Sequence, residues 1–105
     1  MRHYFRRKSR GFRADEFDAW GSCEFFFEIG EDGACLRQLE RYQNGFVLKY
    51  DPSHQEDEYG AIAGAVTDLH DLWEFEISEA EFENEWRASA INRTPREEYA
   101  WLRAR

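Results

Sequence analysis

The sequence predicts an α+β fold: an antiparallel β meander of three or four strands with a C-terminal helix packed on one face. Three observations carry this. Residues 22–29 alternate Cys23, Phe25, Phe27 and Ile29 with Ser22, Glu24, Phe26 and Glu28, the period of a strand rich in aromatic and β-branched residues. Asp32-Gly33 and Asn44-Gly45 then supply two hairpin turns, because both dipeptides tolerate positive φ. Finally, Ser78 followed by Glu81 forms a capping box, and Ile77 and Phe82 occupy the positions of a hydrophobic staple.

In chain order, residues 1–13 read either as a first strand around His3, Tyr4 and Phe5 or as a flexible basic arm, with 14–105 forming one domain. Residues 15–20 form a linker or helical turn that brings Phe17 and Trp20 onto that domain. A two-residue turn at Asp32-Gly33 sets Ile29 against Leu36, Glu28 against Arg37, Phe26 against Leu39 and Glu24 against Arg41, so both charged pairs are complementary. The same turn length at Asn44-Gly45 sets Tyr42 against Val47 and Glu40 against Lys49. Cys23 and Cys35 then fall on opposite faces, as small buried thiols and not as a disulfide. Periodicity weakens over 52–75, which reads as a long structured loop packed on the sheet. The helix over 78–90 carries Phe82 and Trp86 at i and i+4, with Ala90 a turn further. It is expected on the face of Phe25, Phe27, Ile29, Leu36 and Val47, the broader apolar strip. Phe26, Leu39, Leu48 and Tyr50 form the opposite strip, to be covered by the loop, the arm or a partner. Thr94-Pro95-Arg96-Glu97 starts a short terminal helix carrying Tyr99 and Leu102.

Charge bounds the function. Residues 14–85 hold 20 acids against Arg37, Arg41 and Lys49, a block of −17. Residues 1–13 carry +6 and residues 86–105 carry +3, for a net −8 over 105 residues. Such a field repels nucleic-acid phosphates and acidic membranes and attracts a basic partner. The aromatic content of the block supplies enough apolar surface to fold it. No run of residues is long and apolar enough for a bilayer span or a secretory signal, so a cytoplasmic protein is expected. Two cysteines and the scattered His3, His54 and His70 do not make a zinc site, and neither a metal nor a cofactor is expected.

The densest polar segment is 51–60, Asp51-Pro52-Ser53-His54-Gln55-Glu56-Asp57-Glu58-Tyr59-Gly60. As a small hydrolytic or transfer enzyme it would use His54 as general base, oriented by Asp51 or Asp57, with Ser53 as nucleophile or donor. As a structural segment it is a capped turn, with Asp51 accepting backbone hydrogen bonds and His54 held by a neighbouring carboxylate. The turn is the preferred reading, since no nucleophile elbow or phosphate cradle accompanies the histidine. Arg37 and Arg41, with Lys49 nearby, would bind an anion only if their cross-strand carboxylates left them available. A self-associating homodimer is a third reading, because apolar residues occupy both sheet faces and one helix covers only one.

The order of features resembles that of small, uncharacterised bacterial α+β proteins, some encoded near secreted polymorphic toxins and taken to be immunity proteins. The residues that carry the resemblance are Glu31-Asp32-Gly33, Arg37-Gln38-Leu39-Glu40, Asn44-Gly45, Lys49-Tyr50-Asp51, His54, Asp57, Tyr59-Gly60 and Ile77-Ser78-Glu79-Ala80-Glu81-Phe82 with Trp86. It spans roughly residues 20–86 and does not extend to the basic start. It implies a stoichiometric inhibitor of a toxin. With the acidic block, the expectation is a non-enzymatic protein that binds a basic toxin such as a nuclease. Glu56, Asp57, Glu58, Asp71 and Glu74 would supply the charge, and Tyr59 or Trp73 the aromatic anchor.

Overall fold

A computed structural model describes residues 2–9, 13, 17–64 and 73–89. The fold is α+β. One five-stranded antiparallel sheet is built from β1 (His3–Lys8), β2 (Cys23–Ile29), β3 (Cys35–Tyr42), β4 (Val47–Tyr50) and β7 (Glu76–Ile77), in the order β4-β3-β2-β1-β7. A small ribbon, β5 (Glu56–Asp57) with β6 (Gly60–Ala61), follows β4, and helix α1 (Glu79–Ala88) packs on one face of the large sheet. The basic start is a strand: His3 to Lys8 pair with Ile29 to Glu24, and Tyr4 and Phe5 also pair with Ile77 and Glu76.

Both hairpins differ from the expected two-residue turns. Gly30 N–H donates to Ala34 O at 2.9 Å and Tyr42 N–H to Phe46 O at 2.8 Å, so each loop holds three residues. Gly33 and Gly45 take the third loop position, with φ of 86° and 94°, the left-handed conformation that such loops require. Asp32 and Asn44 close the loops by accepting from Ala34 N–H and Phe46 N–H, each at 3.0 Å. In the first hairpin a β-bulge absorbs the extra residue: Ile29 pairs with Cys35, and Leu36 is passed over. Glu28–Arg37, Phe26–Leu39 and Glu24–Arg41 then regain the expected register. The second hairpin has no bulge, so Val47 pairs with Arg41, Leu48 with Glu40 and Lys49 with Leu39. The expected Tyr42–Val47 and Glu40–Lys49 pairs are off by one, which moves every β4 side chain to the other face.

The faces follow from this register. Tyr4, Phe26, Leu39 and Val47 lie under α1 and pack with Phe82, flanked by Ile77 and Trp86. The helix therefore sits on the opposite face from the one expected. Its acids select that face: Arg37 pairs with Glu83, Arg41 with Glu85 at 2.7 Å and Arg6 with Glu81 at 3.6 Å. Arg37 also bonds Glu28 at 2.6 Å and lies 4.8 Å and 5.0 Å from the ring centres of Phe82 and Trp86. Arg6 and Arg41, both bonded to Glu24, lie 5.3 Å and 5.0 Å from the Phe26 ring centre. Lys49 bonds the Trp86 carbonyl and stands 4.7 Å over its ring. The three bases of the acidic block are thus consumed by the sheet–helix interface. Ser78 caps α1 as expected, its Oγ accepting from Glu81 N–H at 3.1 Å.

On the other face, Phe17, Trp20, Cys23, Tyr42, Phe46, Leu48, Tyr50 and Tyr59 form a second buried cluster. Ring centres 4.9–5.4 Å apart tie Phe17, Trp20, Tyr42, Phe46 and Tyr59 together, so the turn Asp18–Trp20 and the loop after β4 cover this side. The strip expected to run through Phe26, Leu39, Leu48 and Tyr50 is therefore split between the two faces. Cys23 and Cys35 are both free. Contrary to expectation they share this face, because the bulge turns Cys35 toward Phe5, Ile29 and Phe27, but they sit at opposite ends of the β2–β3 ladder. Burial pushes both thiols up to about 12. Among the described residues no helix is long and apolar enough to cross a membrane. The expected terminal helix at 94–102, the face position of Ala90 and the loop residues 65–72 lie outside the described residues.

Candidate functional site

The polar segment after β4 folds into a turn and a ribbon organised by two aspartates. Asp51 and His54 form an isolated bridge, with His54 N–H donating to Asp51 O at 3.0 Å and Asp51 N–H to His54 O at 3.2 Å. Asp51 Oδ1 accepts from Ser53 Oγ at 2.7 Å and Ser53 N–H at 2.9 Å, and these bonds, led by the hydroxyl, lower its pKa. Asp57 is the second node. Its Oδ1 accepts from Tyr50 Oη at 3.0 Å, Tyr59 N–H at 2.8 Å and Gly60 N–H at 3.2 Å, while Oδ2 meets His54 Nε2 at 3.0 Å. The His54 ring stacks on Tyr50, with centres 5.7 Å apart and planes within 5°.

This geometry contains an imidazole oriented by a carboxylate, the core of a general-base dyad. The Ser53 hydroxyl is turned to Asp51 instead, so Ser53 and His54 do not form the nucleophile–base pair that acyl transfer uses. What the bonds do achieve is rigidity. Gln38 anchors the ribbon to the central sheet, its Nε2 donating to Ala61 O at 3.3 Å and its Oε1 accepting from Ala63 N–H at 2.8 Å.

Beneath the ribbon lies a buried polar cluster that the sequence reading missed. Glu40, 6 % exposed, accepts from Tyr42 Oη and from Gln38 Nε2 at 2.6 Å. Desolvation raises its pKa despite those donors. Arg13 closes the cluster: it donates to Tyr42 Oη at 3.1 Å and to the Tyr59 carbonyl, and it lies 5.0 Å from the Phe17 ring centre and 5.2 Å from that of Trp20. Only its place after an aromatic residue in the basic start could have singled Arg13 out, and that signal does not distinguish it from Arg6.

The expected partner-binding residues separate into groups. Glu56 and Glu58 are exposed on the ribbon, and Asp57 is half-buried between them as the turn organiser. Tyr59 is 3 % exposed in the aromatic cluster, so its ring is a core element and not the outward anchor expected of it: the Asp57 bond to Tyr59 N–H turns the chain inward. Glu74 is exposed beside β7, at the edge of the sheet opposite β4, and is not part of the ribbon surface. Trp73 is placed by its backbone in the turn Trp73–Phe75, and Asp71 lies outside the described residues. Among the described residues no group of three or more His, Cys, Asp or Glu side chains is arranged to hold a metal ion. Comparison of the chain with protein-family models, curated proteins and solved structures gives no match.

Proposed function

We propose that this protein is a non-enzymatic binding module whose acidic ribbon takes up a basic protein, as an immunity protein neutralising a basic toxin such as a nuclease would. The observation that carries this reading is the asymmetry of charge use. Residues 51–64 contain four acids and no lysine or arginine, and Glu56 and Glu58 stand exposed on a ribbon whose shape Asp57 and Gln38 fix. Arg37, Arg41 and Lys49 are meanwhile turned under α1, away from the ribbon. A preorganised row of carboxylates, with Arg13 bonded to the Tyr59 carbonyl beneath it, accelerates encounter with a cationic surface and costs little to order on binding. The resemblance to toxin-associated proteins points the same way.

The test is titration against a basic nuclease and a panel of other basic proteins, by calorimetry and by inhibition of cleavage. A saturable complex that weakens as salt rises is expected. The paired reversal Glu56→Lys and Glu58→Lys slows association while circular dichroism stays unchanged. Failure of every basic protein to bind at low ionic strength, or binding indifferent to the reversal, overturns the proposal.

A further inference from the structure

A second surface, on the sheet face away from α1, has the opposite chemistry. An open groove of about 890 Å³ is lined by Arg7, Lys8, Ser9, Phe25, Phe27 and Phe75. Arg7 pairs with Phe25 across β1–β2, which puts its guanidinium on the same face as the Phe25 and Phe27 rings. Those two rings are half-buried and stacked, with centres 5.6 Å apart and planes within 6°. Phe75 closes the groove at 38 % exposure, and the Arg7 guanidinium carbon lies 5.5 Å from its ring centre.

The positive charge here differs from that of the arginines paired around the sheet. Arg2, Arg6, Arg37 and Arg41 each reach a carboxylate. Among the described residues neither Arg7 nor Lys8 does, and both are exposed. By register Lys8 shares the α1 face with its partner Glu24, so Arg7 is the base that faces the phenylalanines, and an exposed guanidinium beside a phenylalanine-lined groove is complementary to a ligand with an apolar body and a negative head. The Phe25 and Phe27 rings, parallel and packed on each other, offer a flat body one joint surface for offset stacking and no slot between them. A guanidinium 5.5 Å from the Phe75 ring centre keeps N–H groups for a bidentate bond to a carboxylate.

We infer that this groove is a binding site for a small aromatic carboxylate, held by stacking on Phe25, Phe27 and Phe75 and by ion pairing to Arg7. Cationic ligands are rejected by the same guanidinium. The site is therefore independent of the acidic ribbon, and its test can fail without touching the ribbon reading.

The experiment is an amide-resolved NMR titration of the isotope-labelled full chain with three probes that share one body: naphthoate, naphthamide and naphthylmethylammonium. Saturable shifts with naphthoate are expected at residues 7–9, 25–27 and 74–76. Affinity should fall about tenfold or more for the neutral amide, and the cation should give no shift. Arg7→Glu should abolish naphthoate binding at unchanged thermal midpoint, while Arg7→Lys retains part of it. Absence of saturable shifts, equal affinity for the three probes, shifts centred elsewhere, or a groove occupied by a second copy and opened only on dilution would each overturn the inference.

Discussion

Replacing Glu28 by glutamine tests the electrostatic core of the fold. Glu28 is 1 % exposed and accepts from Arg37 Nε at 2.6 Å, from Tyr4 Oη at 3.1 Å and from Arg2 at 3.1 Å, which joins β1, β2 and β3 at one carboxylate. Breaking a buried pair by removing one partner costs about 3–5 kcal/mol when the other charge is stranded. Arg37 is not stranded, since Glu83 and the faces of Phe82 and Trp86 remain, and the Arg2 side chain is 63 % exposed. A loss of about 2–3 kcal/mol at neutral pH is expected, which for a domain of this size is a fall of about 10–20 °C in thermal midpoint. The pH dependence has a fixed sign. Burial alone would raise the Glu28 pKa, but Arg37, Tyr4 and Arg2 outweigh it and the folded value is lowered. The contribution is therefore fully present above the unfolded-state value of about 4.3 and is lost as pH falls through the folded value, so wild type and Glu28→Gln converge in acid. Urea unfolding of both proteins across the acid limb measures this. A neutral-pH difference below about 0.5 kcal/mol, or a difference that does not shrink in acid, refutes the account.

Phe82→Ala removes the fully buried anchor of α1 and should cost about 3–5 kcal/mol, with amide exchange accelerated first over residues 79–88. A loss below about 1.5 kcal/mol would mean that the ion pairs alone hold the helix. Glu40→Gln should act with the opposite pH sign to Glu28→Gln. Because desolvation raises the folded pKa of Glu40, wild type loses stability as pH rises from the unfolded-state value through the folded one. The difference between variant and wild type should move in the variant's favour over that window, and paired thermal melts showing the reverse trend would refute the assignment.

What the sequence made legible and what it hid both trace to loop length and charge. The alternation of residues 22–29 and the capping box at Ser78 are local signals, and each produced the expected element. Asp32-Gly33 and Asn44-Gly45 named the turns correctly but not their size, since a glycine after Asp or Asn serves a two-residue loop and the left-handed end of a three-residue loop equally well. The bulge at Leu36 restores the register in the first hairpin and nothing restores it in the second, so Leu48 and Tyr50 face away from Phe26 and Leu39. The face that carries the helix is decided by charge. Counting apolar residues favours the strip through Phe25, Phe27 and Ile29, yet a helix bearing Glu81, Glu83 and Glu85 beside Phe82 cannot lie there without leaving those carboxylates over phenylalanine. Arg6, Arg37 and Arg41 interleave with Phe26 and Leu39 on the other side and satisfy both requirements together. In the ribbon, the exposure of Glu56 and Glu58 followed from composition, whereas the inward turn of Tyr59 depends on an Asp57 carboxylate that is itself held by Tyr50 and His54 from the preceding strand and turn. By drawing its bases beneath α1, the same charge pattern that fixes the fold leaves the acidic ribbon and the Arg7 groove as two surfaces of opposite sign. A basic protein and an aromatic carboxylate would therefore not compete for the same surface.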